Sequence, residues 1–202
     1  MLGALAHKLI SPARYRQRHV WWVMLAILCA GFGLPAHADA NRFDGTVIFI
    51  RHALAPGAGD PASFDLGDCR TQRNLDSTGR EQARAIGRKL SASGVAFGAI
   101  YSSQWCRCLE TAQLLGLGPV TPFSGLNSFY EEHAPRGPTL AKLAAKLDSL
   151  PRNGKPVVMV THFVTISTIT GIGPTSGGMV LYDLASGSAR QLSPAAFAAS
   201  SN

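Results

Sequence analysis

The residues best suited to chemistry sit at the ends of two apolar runs. Thr46 to His52 reads T-V-I-F-I-R-H, with four apolar residues from Val47 to Ile50 and then an Arg-His pair. Val157 to Val160 repeats the pattern and ends in Thr161-His162. Short β-branched runs bounded by Gly, Pro or polar residues predict buried strands. In parallel α/β sheets, ligands collect at the C-terminal ends of strands. A third stretch, S-S-Q-W-C-R-C-L-E-T-A from Ser102 to Ala112, places Arg107 near a helix start, one turn before Thr111. Helix N-termini favour anions. If Arg51, His52, Arg107 and His162 converge, they form a site for a dianion such as a phosphoryl group. Arginine offers phosphate oxygens two parallel hydrogen bonds. One imidazole can attack phosphorus and leave again, and the other can stabilise charge on the equatorial oxygens. Four such donors need no metal or other cofactor, and no metal-ligand spacing stands out. Taken alone, Thr46 to His52 fits equally a strand that ends in two solvated polar residues.

The elements that must position these groups alternate. After the strand Thr46–Ile50 comes a long loop, Arg51 to Asn74, with Pro56, Gly57, Gly59 and Pro61; loops of that length in small domains are often functional. A helix follows, with a T-x-x-E capping box at Thr78 and Glu81 and a face of Ala83, Ile86, Gly87 and Leu90. Ala99–Tyr101 predicts a short strand. The Arg107 helix runs to Leu115 with Cys108, Thr111, Ala112 and Leu115 on one stripe. Val120–Phe123 is a third strand, and Leu126–Pro138 a second irregular loop holding Tyr130, Glu131, Glu132 and His133. Thr139–Leu150 is an amphipathic helix with Leu140, Leu143, Ala144, Leu147 and Leu150 inward. Phe163–Thr170 is a short helix stopped by Gly171, and Met179–Leu184 a last strand. The Ala/Ser-rich tail after Leu192 is expected to fray. This alternation predicts an α/β fold, a three-layer α/β/α sandwich around a mainly parallel sheet.

Composition sets bounds on partners. The 202 residues are 46% hydrophobic and 15% charged, which suits one globular domain. Lys8, Arg14, Arg16 and Arg18, the apolar run Val20–Leu34 and Ala36-His37-Ala38 have the plan of a secretory signal cut after Ala38. Residues 1–38 are therefore expected to be a signal peptide and 39–202 the working domain, in the periplasm or secreted. An uncleaved anchor is the alternative, but the run is short of the roughly 20 residues a bilayer span needs. Leu28 before Cys29 is too large for a lipoprotein signal. Removing the leader takes 4 of the 19 basic residues and no acid, leaving 15 against 12 and a net charge of +3. Little then points to nucleic acid.

Four segments in order carry a resemblance to the histidine phosphatase superfamily, which includes phosphoglycerate-mutase-like enzymes. They are Arg51-His52-Ala53 against the family's R-H-G, Leu75 to Ala83 against L-T-x-x-G-x-x-Q-A, Ser102 to Ala112 with Arg107 in register, and the late strand ending in His162. The resemblance implies a phosphoglycerate-mutase-like fold, no cofactor and a phosphohistidine mechanism. In that mechanism His52 is the phosphate acceptor, and Arg51, Arg107 and His162 hold the phosphoryl oxygens. It also implies a carboxylate that protonates the leaving group. Glu131 is the first choice, Glu132 the second, and an enzyme with no such acid the third. Ala53 departs from the family's Gly. Phe163 after His162 removes the His-Asp donor of the acid-phosphatase branch.

Three cysteines remain after the leader: Cys69, Cys106 and Cys108. An oxidising compartment favours one disulfide and one free thiol. Cys108 reads as a buried small hydrophobe. A Cys69–Cys106 bridge would tie the loop after the nucleophile to the phosphate site, and pairing of Cys69 with Cys108 is the alternative. The functional expectation is an exported phosphatase acting on a phosphorylated small molecule, an envelope sugar phosphate or other glycan, or a phosphoprotein. A phosphomutase, or an inactive anion- or glycan-binding module of the same fold, stands against it. Oligomeric state is open.

Overall fold

Alternate residues along each central strand face two separate cores, and this builds the layers. The computed structural model describes residues 40–197; the expected leader, 1–38, lies outside the described residues. The strands are β1 (Thr46–Arg51), β2 (Ala99–Ser102), β3 (Val120–Pro122), β4 (Val157–Thr161), β5 (Met179–Asp183) and β6 (Ala189–Leu192). They form one sheet in the order β3-β2-β4-β1-β5-β6. β1, β2, β3 and β4 run parallel to one another, whereas β5 joins β1 antiparallel and β6 joins β5 antiparallel. The helices are α1 (Ser77–Ala92), α2 (Cys106–Leu114), α3 (Arg136–Ser149) and α4 (Phe163–Thr170).

On one face, Ile48, Ile50, Val158 and Val160 pack with Ile86 and Leu90 of α1 and Cys108 and Ala112 of α2. On the other, Val47, Phe49, Val157 and Met159 pack with Leu143 and Leu147 of α3 and Ile166 of α4. The expected three-layer α/β/α sandwich with a mostly parallel sheet is what forms. β1 and β4 are adjacent, in register from Val47↔Val157 to Arg51↔Thr161, so Arg51-His52 and Thr161-His162 leave the sheet side by side. Both strands are apolar on both sides because both sides are covered.

Several local details differ from the sequence reading. Asp76, not Thr78, caps α1: its Oδ1 accepts from Gly79 N at 2.7 Å. Glu81 instead pairs with Arg88 at 2.7 Å. An Asp before the first turn outcompetes a Thr already inside it. Ala144 is exposed, since the inward stripe of α3 is narrower than expected. β6 has no apolar run to announce it: Ala189 to Leu192 is a half-exposed edge strand, recruited by pairing with β5. Among the described residues no helix is long and apolar enough to cross a membrane.

Candidate active site

Arg51, His52, Arg107 and His162 line a single cavity of about 330 Å3 at the C-terminal ends of β1 and β4. The wall is completed by the Gly57–Gly59 turn, Arg73, Ser128, Tyr130, Phe163 and Val164. His52 ends β1, and its backbone N–H donates to Thr161 O at 2.9 Å. The next residue is pinned by the Arg107 helix: Ala53 N–H donates to Thr111 Oγ1 at 3.0 Å. Thr111 Oγ1–H in turn donates to Arg107 O at 2.6 Å. The one-turn spacing of Arg107 and Thr111 thus puts one residue in the cavity and uses the other to hold the loop after His52.

The loop is also held from α1. Leu54 N–H donates to Gln82 Oε1 at 2.9 Å, and Gln82 Nε2 donates to Ser176 O at 2.8 Å. Gly79 lies against Leu54 so closely that a Cβ there would sit 2.0 Å from Leu54 O. A glycine and a glutamine at this spacing let α1 touch the loop and bridge it to the turn before β5.

The two imidazoles are oriented differently. His52 Nδ1 lies 2.8 Å from Ala53 O. A carbonyl oxygen only accepts, so Nδ1 carries the proton and Nε2 keeps its lone pair. Burial, and after it the Arg107 guanidinium, pushes the His52 imidazole down to about 3. The ring is 2% exposed and neutral across the physiological range. His162 is held by Ser103, with Oγ 2.9 Å from Nε2. Burial, then Arg107, lowers its basicity well below the ordinary imidazole value. Ser103 Oγ–H donates to Asn127 Oδ1 at 3.3 Å, and Asn127 Nδ2 donates to Gln104 Oε1 at 2.8 Å. The ring centroids of His52 and His162 are 5.6 Å apart.

The cavity holds more positive charge than the motifs announce. Arg73, on the loop after His52, is a third lining guanidinium. Its Nε–H donates to Gly59 O at 2.8 Å, and Nη1 donates to Ala55 O. Burial, then Arg107, lowers both Arg51 and Arg73 from their usual values. Asp60 answers part of this charge, with Oδ1 2.7 Å from Arg107 Nη1 and both side chains almost fully buried. Neither Arg73 nor Asp60 belongs to a motif at recognisable spacing. The disulfide was the usable signal, for Cys69 and Cys106 are bridged, with Cα atoms 5.7 Å apart. That bridge, with the 2.9 Å bond from Cys106 N–H to Gln72 Oε1, carries the Arg73 segment to the start of α2. Among the described residues Cys108 is the free cysteine; it is buried, and burial pushes its thiol up to about 12.

Glu131 and Glu132 are not on the cavity wall. Glu131 is exposed, accepts from Asp60 N–H at 3.4 Å and lies 3.7 Å from His133. Both glutamates have left-handed backbones, φ 55° and 60°, just after Tyr130 at the rim. Two consecutive non-glycine residues in that region carry strain of the kind found at functional turns.

Fold and cavity together define an α/β protein with a cationic pocket at the strand ends, walled by guanidiniums and neutral imidazoles. The model of the histidine phosphatase superfamily (branch 1) matches residues 47–134, the stretch carrying Arg51, His52 and Arg107. Over that stretch the chain is similar to the histidine phosphatase superfamily. No curated protein sequence gives a significant match. Among solved structures, the protein histidine phosphatase SixA complexed with tungstate is 18% identical, with a TM-score of 0.52 over 75% of this chain and 98% of that one. Mycobacterial glucosyl-3-phosphoglycerate phosphatase with VO3 is 20% identical, with a TM-score of 0.53 over 73% and 96%. Phosphoserine phosphatase from Entamoeba histolytica with 3-phosphoglyceric acid is 18% identical, with a TM-score of 0.50 over 73% and 95%. At these identities the likeness is one of fold.

Proposed function

We propose that the protein is an exported phosphatase that hydrolyses a phosphomonoester through a phosphohistidine on His52, without a metal. One observation carries this reading: the bond from His52 Nδ1–H to Ala53 O leaves a neutral imidazole with an unprotonated Nε2 in a cavity walled by Arg51, Arg73 and Arg107. Arg51, Arg107 and His162 hold the phosphoryl oxygens, and the guanidiniums offset the charge of a dianion. Nε2 attacks phosphorus as the bond to the leaving oxygen breaks, and that oxygen takes up a proton. Water then attacks the phosphohistidine, returning a proton to the group that protonated the leaving oxygen; orthophosphate departs, and Nε2 regains its lone pair.

Glu131 supplies the leaving-group proton in this scheme. Its support is position: the carboxylate sits against Gly59 on the rim, where a Cβ on that glycine would be 2.7 Å away, and it reaches the mouth by releasing the weak bond to Asp60 N–H. Tyr130 and Phe163, two of the exposed large apolar side chains, flank the same mouth. The leaving group sits between them, so the substrate body stays outside. An open mouth suits a phosphate on a glycan, a protein or another bulky carrier. The leader-like residues 1–38 support action in the periplasm or outside the cell, with the signal removed.

The decisive experiment uses residues 39–202 as the mature protein, p-nitrophenyl phosphate, and a chelator in place of metal. Turnover is expected, with vanadate inhibiting as a mimic of five-coordinate phosphorus, and His52→Ala is expected to abolish it. Turnover that survives the substitution sinks the phosphohistidine, and loss of turnover with chelator sinks the metal-free scheme. Phosphoryl transfer to an added alcohol instead of water would assign a mutase-type transferase.

A further inference from the structure

Arg107 is committed on one edge before any ligand arrives. A guanidinium has five N–H donors in one plane. Nη1 donates to Asp60 Oδ1 at 2.7 Å and to Arg73 O at 3.3 Å, and Nη2 donates to Asp60 Oδ2 at 3.1 Å. Nε is buried and has no hydrogen-bond partner among the described residues. The unspent donors are therefore Nε–H and the second N–H of Nη2. These two point the same way from one edge of the plane and match two oxygens of a phosphoryl group. A buried donor left without a partner is costly unless a ligand or water fills its place.

Asp60 is well placed to decide which edge is left free. Its carboxylate is saturated by protein: Oδ1 also accepts from Arg73 N–H at 3.0 Å and Oδ2 from Trp105 Nε1–H at 3.0 Å. Burial pushes the carboxyl up, but the hydrogen bonds from Arg107, Arg73 and Trp105 outweigh it and hold the group below its usual range. Asp60 is thus a fixed anion. Arg107 lines the cavity, whereas Asp60 stands behind it and does not. Trp105, which helps hold Asp60, is 1% exposed and wedged between Phe64 and His162, with ring centroids 5.0 and 5.3 Å away. The carboxylate is therefore anchored to the core.

We propose that Asp60 is a positioning residue for the phosphate site: it binds the terminal nitrogens of Arg107 and so turns the Nε/Nη2 edge toward the phosphoryl oxygens. This rests on the phosphatase reading of the cavity. It places Asp60 outside the chemistry, acting through Arg107. The rival role, an internal carboxylate that occupies the phosphate's own place and must be expelled, predicts the opposite sign for its removal.

The test measures orthophosphate binding by calorimetry, with p-nitrophenyl phosphate kinetics beside it, on the mature chain and on Asp60→Asn, Arg107→Ala and the double variant. Asp60→Asn is expected to weaken orthophosphate binding about tenfold or more and to lower kcat more than it raises KM, because a misaimed donor costs most in the transition state. In the Arg107→Ala background the same substitution is expected to change binding less than about twofold, the non-additivity of residues acting as a unit. Trp105→Phe keeps an aromatic ring and the Asp60 charge while removing one donor, and is expected to weaken orthophosphate binding about threefold. It serves if Asp60→Asn fails to fold. Tighter orthophosphate binding on loss of Asp60 overturns the proposal in favour of an internal competitor. Equal losses with and without Arg107, or a lower melting temperature with unchanged binding and kcat, overturn it in favour of a purely structural role. A wild-type chain that binds orthophosphate but hydrolyses no phosphomonoester fails the phosphatase reading alone, and one that binds no orthophosphate fails both.

Discussion

At the scale of single residues, tautomer and donor count matter more than residue type. His52 and His162 are both buried imidazoles at strand ends, yet only His52 has Nδ1 tied to a backbone carbonyl, which leaves its Nε2 lone pair free. His162 is tied to a hydroxyl that belongs to a Ser103–Asn127 chain. Glu131 is the residue whose part depends most on the substrate. If it protonates the leaving oxygen, Glu131→Gln should lower kcat for an alkyl phosphate about 10- to 100-fold, the usual worth of a positioned proton donor. It should leave p-nitrophenyl phosphate within about threefold, because nitrophenolate departs without a proton. Equal effects on the two substrates would remove Glu131 from the mechanism.

At the scale of elements, the long loop after β1 is fastened at several points. It is stapled to α2 by Cys69–Cys106, by the Gln72 bond to Cys106 N–H and by the Asp60–Arg107 pair. It is also fastened to itself by Arg73, which reaches Gly59 O and Ala55 O. The bridge spans 37 positions, for which loop-closure entropy gives a stabilisation of about 4 kcal/mol. The double variant Cys69→Ser/Cys106→Ser is expected to lose about 2–4 kcal/mol in urea unfolding and to bind vanadate more weakly, since the segment it releases carries Asp60 and Arg73. Unchanged stability would mean that the remaining polar contacts hold the loop by themselves.

At the scale of the whole molecule, the site is assembled at the expense of acid stability. An imidazole kept neutral by burial binds fewer protons folded than unfolded. Between the unfolded value of about 6.5 and the folded value of about 3 for His52, stability must rise with pH. His162 is shifted in the same direction. Each contributes up to about 1.4 kcal/mol per pH unit in that window. The melting temperature should therefore fall as the pH drops below about 6.5, and less steeply in His162→Asn if that variant folds. A melting temperature flat from pH 7 to pH 4.5 would contradict the burial argument. Activity has a different acid limb: His52 stays unprotonated down to about pH 3, so the loss of kcat/KM near pH 6 should follow the second ionisation of the substrate phosphate.

How much could be read in advance divides along the same line. Local pattern determined the four central strands' apolar runs, the α1 face of Ala83, Ile86, Gly87 and Leu90, and the placing of Arg51, His52, Arg107 and His162 at element ends. These are matters of period and punctuation, which the chain carries within a few residues. The four do share one cavity because parallel strands deliver their C-terminal ends to the same edge. The parts played by Asp60 and Arg73 were not legible. Asp60 finds Arg107 across 47 positions, and no spacing rule covers a contact made by a loop folding back over a helix start. The capping box failed because Asp76 and Thr78 compete for one helix end, and only the backbone's departure from the loop selects between them. The sequence by itself determined which groups could do phosphoryl chemistry. Tertiary structure alone decided how they are held and charged: which imidazole nitrogen is free, which donors of Arg107 are spent on protein partners, and how burial lowers both histidines. Those properties depend on neighbours distant in the chain and on the exclusion of water.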